Sequence, residues 1–161
     1  MLPSPAWAGL KASIQVSWHD AKKYVAWLSR MTGKPYRLLT DAEYEYAARG
    51  GTQTAFPWGD EIDKNHAVCS DCDSKWDNQT IGTAPVGKFA PNGFGLYDMV
   101  GNVFTWVEDC YHDNYNGAPT DGSPWLTDDC RTRVVRGGSW GLPAEFYPLG
   151  VPPQNDFPRR P

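Results

Sequence analysis

The sequence predicts an α+β domain with little regular secondary structure, and three observations point there. Two short segments near the start carry helical apolar spacing with capping residues at their ends. From Thr52 to about Val134 that periodicity vanishes and turn-forming runs recur, among them Phe56-Pro57-Trp58-Gly59, Pro91-Asn92-Gly93 and Gly101-Asn102. Composition supplies the third: 14% of the 161 residues are aromatic, eight of them Trp, beside 16 Gly and 14 Pro. Rings that bury about 150–250 Å² each can fasten a chain whose backbone is punctuated this often.

Ala21, Tyr24, Val25 and Leu28 recur at the spacing of one helix face. They predict a helix from Asp20 to about Thr32 with that face buried, Asp20 capping its start and Gly33 closing its end. Thr40-Asp41-Ala42-Glu43 is a capping box that opens a second helix, which runs through Tyr44, Tyr46, Ala47 and Ala48 and stops at Gly50-Gly51. Gly95 to Met99 and Val103 to Val107 predict strands or tight segments, and Arg131 to Arg136 alternates as a core strand. No further helix–strand alternation follows, which excludes a βαβ arrangement. Residues 142–161 hold six prolines and no periodic apolar pattern, and they predict a proline-rich, disordered tail.

The net charge of −4 and the absence of clustered cations exclude the electrostatic footprint of nucleic-acid or anionic-lipid binding. No apolar run reaches the length of a membrane-spanning helix. The first seven residues lack the basic start and apolar stretch of a secretion signal, so compartment stays open at this point. A monomer is expected.

Residues 16–59 contain Val16-Ser17-Trp18-His19-Asp20-Ala21, Gly33-Lys34-Pro35-Tyr36-Arg37-Leu38-Leu39-Thr40-Asp41-Ala42-Glu43-Tyr44 and Phe56-Pro57-Trp58-Gly59. Further on stand Thr83-Ala84-Pro85-Val86-Gly87, Asn92-Gly93-Phe94-Gly95-Leu96-Tyr97-Asp98-Met99-Val100-Gly101-Asn102-Val103 and Arg136-Gly137-Gly138-Ser139-Trp140. In this order the motifs resemble the formylglycine-generating enzymes, also called sulfatase-modifying factors. The resemblance implies a C-type-lectin-like fold of that type. It also implies an oxidoreductase activity, the copper- and oxygen-dependent conversion of a sulfatase cysteine to formylglycine, with calcium often bound. Other members implied by the resemblance are iron-dependent sulfoxide synthases and non-catalytic display or sensor domains.

Two cysteines that follow the Gly-Gly-Ser motif supply thiolates for copper(I) in the enzymes resembled, and Leu142 and Tyr147 stand at those places here. Catalytic residues are therefore not identifiable, and copper, though expected for the family, lacks its ligands. Ser139 and Phe104 are the remnants of the substrate cleft, Phe104 standing where tryptophan is usual. His19, His66 and His112 show no ligand spacing and read as loop or surface residues, His19 with a local hydrogen bond. For calcium the resemblance points to Asp98, Gly101 and Val103, with Thr105 in place of a charged Glu, and to a second place where Val68 replaces an Asn ligand and Asn78 is a remaining candidate.

Cys69 and Cys72 form a C-x-x-C, and Cys110 and Cys130 bracket an excursion rich in Gly, Pro and Asp. Two disulfides would use all four thiols, and would fit an extracytoplasmic compartment. A four-cysteine zinc site is the alternative, although Cys110 and Cys130 do not make the second C-x-x-C. The family pattern normally begins before Val16 and continues beyond Trp140. The resemblance thus implies a partial domain over residues 1–141, incomplete at both ends, with 142–161 disordered or read out of frame. Back-translating Glu145 to Pro152 and dropping one base gives Asn-Ser-Thr-Arg-Ser-Ala-Tyr-Arg, the type of segment the family carries there. Expected functions are formylglycine generation lost with the copper ligands, a protein- or glycan-binding display module using the Asp109 to Asp129 loop, or a damaged gene product. The partner implied is a sulfatase or another protein or peptide.

Overall fold

Both α-helices start where a hydroxyl and a carboxylate three residues apart each accept the other residue's backbone N–H. The computed structural model describes residues 10–76, 82–146 and 149. Helix α1 spans Trp18–Thr32, with Ser17 as N-cap and Asp20 completing its capping box. The cap expected at Asp20 thus lies at Ser17, and Asp20 is the reciprocating carboxylate three residues on. Helix α2 spans Asp41–Arg49, with Thr40 accepting from the Glu43 N–H and Glu43 returning a bond to the Thr40 N–H. Gly33 and Gly50 close the two helices in the left-handed conformation.

The sheet is a two-stranded antiparallel ribbon. β1 (Thr105–Cys110) pairs with β2 (Arg133–Arg136) in the register Thr105 opposite Arg136 and Trp106 opposite Val135. The register slips before Cys110 meets Arg133, as a bulge requires. The segment from Gly95 to Met99 is irregular instead of a strand, with a bend at Gly95 and a left-handed Asp98 at φ 55°. Helix α2 lies on the ribbon, and Tyr44 and Ala48 pack with Val107 and Val134 in one apolar cluster. A second cluster joins Phe56, Ala67, Cys69, Cys72, Val100 and Ala144, drawn almost wholly from loops.

Helix α1 departs from expectation, for none of its residues is buried and Tyr24, Trp27 and Met31 are exposed. Its attachment to the ribbon is polar and aromatic. The Trp18 indole donates to the Val107 carbonyl at 2.9 Å, Lys22 bonds Glu108 at 2.8 Å, and the Arg133 guanidinium lies 3.9 Å from the centre of the Trp18 ring.

The first described residues of the segment expected as a disordered tail from 142 are packed. The Leu142 carbonyl accepts the Ser70 N–H, a short 3₁₀ turn spans Ala144–Phe146, Ala144 is 1% exposed, and the Leu149 N–H bonds the Ala55 carbonyl. Packing therefore continues past the boundary expected at 141. A single small residue entering a core leaves no periodic trace, which is why composition alone misleads there. Residues 150–161 lie outside the described residues.

The Arg37 guanidinium forks onto Glu43 with two 2.6 Å bonds. Together with the Thr40 N–H, it holds the Glu43 carboxyl down at about 2. A depressed carboxyl contributes stability that is full above its ordinary value and lost as pH falls through the folded value. Because Arg37 is largely exposed, solvent screening leaves about 1 kcal/mol of this. Glu43→Gln should therefore be about 1 kcal/mol less stable than the parent in urea unfolding at neutral pH, and the gap should close near pH 2. A gap that persists unchanged in acid would contradict the ion pair's role.

Candidate functional site

Gly101 and Asn102 both adopt positive φ, at 75° and 63°. A Cβ on Gly101 would collide with the Val68 carbonyl oxygen, so the glycine is needed for close approach as well as for its conformation. That approach lets the Asn102 N–H reach the Val68 carbonyl at 2.8 Å, while the Gly101 N–H bonds the Gly137 carbonyl at 2.6 Å. The Asn102 carbonyl accepts the Trp140 N–H at 2.9 Å. Its side-chain amide faces Ala84 like a strand neighbour, accepting from the N–H at 3.0 Å and donating to the carbonyl at 3.3 Å. Asn102 is 2% exposed. Four separate stretches of chain thus meet at one side chain and its glycine neighbour.

This junction sets the Gly137-Gly138-Ser139-Trp140 loop against the backbone that leads into Phe104, so Ser139 and Phe104, the residues expected as cleft remnants, lie on adjoining segments. Ser139 and Phe104 are both half-buried. The Leu142 N–H returns to the Ser139 carbonyl at 3.4 Å, which folds the chain back where the resemblance expects the first copper thiolate. Leu142 has no donor for copper(I), and Tyr147 lies outside the described residues. All four cysteines of the sequence are held in disulfides, Cys69 with Cys72 and Cys110 with Cys130. Among the described residues, the donors at this place do not fit copper(I).

The expected pairing of the cysteines is therefore the one observed, with Cα separations of 5.2 and 5.4 Å. In the chain-entropy picture, closing the 110–130 loop contributes about 3 kcal/mol and the 69–72 loop about 2 kcal/mol. The sulfurs being paired, the four-cysteine zinc alternative falls away for this state of the chain.

Asp98, the main calcium candidate, has φ 55° and accepts the Gly87 N–H at 2.7 Å through one carboxylate oxygen. The other oxygen is buried without a hydrogen-bond partner, and burial pushes the carboxyl above its ordinary value. An orphaned carboxylate oxygen suits a hard cation, and Gly101 and Val103 follow it closely in the chain. The Thr105 hydroxyl, however, is engaged with Tyr44, whose phenol donates to the Met99 carbonyl at 2.6 Å. Asp98 is then the single charged donor among these calcium candidates. At the second place Val68 is fully buried, and Asn78 lies outside the described residues.

The histidines serve aromatic contacts. His112 stacks on Trp125 with ring centres 3.6 Å apart, His66 stacks on Trp58 at 5.0 Å, and His19 meets the edge of Trp18 at 5.3 Å. His112 and Trp125 line a cavity of about 230 Å³ together with Tyr115, Asp41, Glu45 and Asp109. A polar network forms its inner wall. Arg136, 8% exposed, lies 2.8 Å from Asp41 and 3.3 Å from Glu45. Tyr115 donates to the other Asp41 oxygen at 2.8 Å, and Asp109 accepts the Asp41 and Trp125 N–H groups at 2.8 and 2.7 Å. The Arg136–Asp41 approach is out of line for a hydrogen bond, so its attraction is coulombic. Burial raises the Asp41 carboxyl in spite of the Arg136 charge and pushes the Tyr115 phenol upward. Sequence reasoning missed this network. Its one legible signal was the acid at the first position of α2, which reads equally as an ordinary dipole-favoured residue.

A loop-rich α+β domain whose diglycine-serine loop is pinned beside a short ribbon belongs to the C-type-lectin-like class of folds. The chain belongs to the sulfatase-modifying factor enzyme 1-like domain family, whose model matches residues 12–156. The formylglycine-generating enzyme of Thermomonospora curvata is 37% identical over 139 residues, which cover 79% of this chain and 44% of that protein. The inactive C-alpha-formylglycine-generating enzyme 2 of Bos taurus is 35% identical over 133 residues, covering 79% and 38%. The solved structure of PvdO from Pseudomonas aeruginosa matches with a TM-score of 0.78 at 43% identity, over 89% of this chain and 57% of that one. The chain spans less than half the length of these curated relatives. Among the described residues no helix is long and apolar enough to cross a membrane.

Asn102→Gly keeps the positive φ and removes only the side-chain bonds to Ala84, which is itself fully buried. Unfolding by urea should show a loss of about 2–4 kcal/mol, since a buried donor and a buried acceptor are left unpaired. A loss below about 0.5 kcal/mol, typical of a surface position, would show that the junction does not depend on this amide.

Proposed function

We propose that this chain is a formylglycine-generating-enzyme-type domain that keeps the family scaffold, lacks copper-dependent cysteine oxidation, and acts by binding a protein or peptide. The observation that carries the reading is the donor set. Leu142 occupies the place of the first thiolate, and the four cysteine sulfurs of the chain are spent on disulfides. Copper(I) is a soft ion that needs soft ligands, and hydroxyls, carboxylates and amides do not replace thiolates for it. The relatives' names support both halves of the proposal, since one is called a formylglycine-generating enzyme and another an inactive one. The two disulfides suit an oxidising, extracytoplasmic setting, where sulfatases are plausible partners for such a domain.

A second observation favours the loop between Asp109 and Asp129 as the contact surface. The cavity there combines the stacked Trp125 and His112 rings with carboxylates on rigid elements, the mixture of a flat apolar platform and fixed polar groups that recognition sites use. A glycan ring or a basic peptide side chain fits this chemistry.

One experiment tests both statements. The chain is loaded with copper(I) and incubated in oxygen with a peptide carrying Cys-x-Pro-x-Arg, while aldehyde formation is followed by mass spectrometry and binding by fluorescence anisotropy. No aldehyde above a copper-only control, with saturable binding that Trp125→Ala weakens, is the expected outcome. Catalytic aldehyde formation would overturn the first statement, and binding unaffected by Trp125→Ala the second.

A further inference from the structure

We propose that Cys69, Asp71 and Cys72 form a redox-gated zinc site. The disulfide closes it, and reduction opens two thiols that join the Asp71 carboxylate around one divalent ion.

The three donors are already gathered. One sulfur of each cysteine and a carboxylate oxygen of Asp71 lie within 4.8 Å of one another, and the Cys69 sulfur is 3.0 Å from the Asp71 Oδ1. Tetrahedral zinc, with Zn–S near 2.3 Å and Zn–O near 2.1 Å, places its sulfurs about 3.8 Å apart and sulfur from oxygen about 3.5 Å. Small rotations of the freed side chains about a Cα separation of 5.2 Å reach those values. A water molecule would complete the set of two sulfurs and one oxygen.

The frame around the donors is tied by hydrogen bonds as well as by the S–S bond. On one side the Ser70 N–H bonds the Leu142 carbonyl at 3.1 Å, and the Ala144 N–H bonds the Asp71 Oδ1 at 2.9 Å. On the other, the Asn102 N–H holds the Val68 carbonyl. Reduction therefore releases the sulfurs inside a backbone that is otherwise tied down, so little ordering remains for metal binding to supply.

Burial selects the ion. Cys69 and Cys72 are 1% and 2% exposed and pack among Phe56, Ala67, Val100 and Ala144. Two thiolates in that apolar cluster, unneutralised, would be costly. A divalent cation removes the cost by displacing both protons. The exposed Asp71 gives the ion its route in and a harder oxygen donor that suits zinc over two-coordinate copper(I). The chemistry balances with a phosphine reductant. The phosphine takes oxygen from water and becomes its oxide, the disulfide gains two electrons and two protons, and zinc then exchanges for those two protons.

The test uses the full chain, oxidised or reduced with a phosphine, and titrates it with zinc alone against a chromogenic chelator, circular dichroism reporting that the fold is kept. We expect about one equivalent of zinc in the reduced chain and none in the oxidised chain. Cys69→Ser with Cys72→Ser should abolish uptake, and Asp71→Asn, which keeps an oxygen acceptor for the Ala144 N–H, should weaken it about tenfold or more. Equal uptake by oxidised and reduced chain, no uptake on reduction, uptake retained by the double serine variant through Cys110 and Cys130, or undiminished affinity in Asp71→Asn would overturn the proposal. No substrate enters these measurements, so the copper and peptide experiment can come out either way without changing their reading.

Discussion

Very little of this domain is held by regular secondary structure, and the burden falls on the hydrogen bonds that converge at Asn102. A loop-rich chain must satisfy its buried backbone groups without long ladders. Here a side-chain amide stands in for a missing strand neighbour at Ala84, and the same residue's main chain ties Val68 and Trp140. The arrangement requires Gly101, because any side chain there would occupy the space of the Val68 carbonyl. The diglycine that follows β2 obeys the same logic, since a Cβ on Gly137 would strike the Tyr44 hydroxyl. Helix, ribbon and loops are therefore brought within contact by small residues and fastened by polar ones.

The second fastening is electrostatic. Arg136 at the end of β2 reaches Asp41 and Glu45 on α2, and Tyr115 and Asp109 complete the environment of the helix start. Burial costs these charges much of what their attraction returns, as the raised Asp41 carboxyl indicates. Their contribution lies in fixing how α2 sits on the ribbon and in shaping the wall of the neighbouring cavity. Scaffold and candidate binding surface share these residues, whereas Leu142 is tied to the C-x-x-C loop, its carbonyl accepting the Ser70 N–H.

Legibility in the sequence followed the range of the interactions. The bounds of α2 could be read because a capping box and a terminal glycine act within a few residues. The start of α1 was misplaced by a local ambiguity, since Asp20 is a good cap type and also the third residue of the box that Ser17 opens. The burial of its Tyr24 face could not be read, because periodicity says which residues share a side but not what lies opposite. Cysteine pairing was legible from spacing and number, and the Arg133–Arg136 strand from alternation. Asn102 was visible only as half of a turn, its partners being far away in the chain. The same distance hid Arg136 and Asp41, and a lone Ala144 could not announce that the proline-rich stretch begins by packing.

Family membership and the proposed absence of copper chemistry are compatible because they rest on different residues. Glycines, Asn102 and the capping boxes carry the scaffold, and the proposal on copper rests on Leu142 and the paired cysteines. The most direct measurement of whether that scaffold turns on the Asn102 junction is residue-resolved amide hydrogen exchange. The account predicts that the Ala84, Asn102 and Trp140 amides open only with the whole domain, with the same denaturant dependence as Val107 and Val134 in the ribbon. Exchange of those three amides orders of magnitude faster than the ribbon's, as in a loosely attached loop, would contradict it.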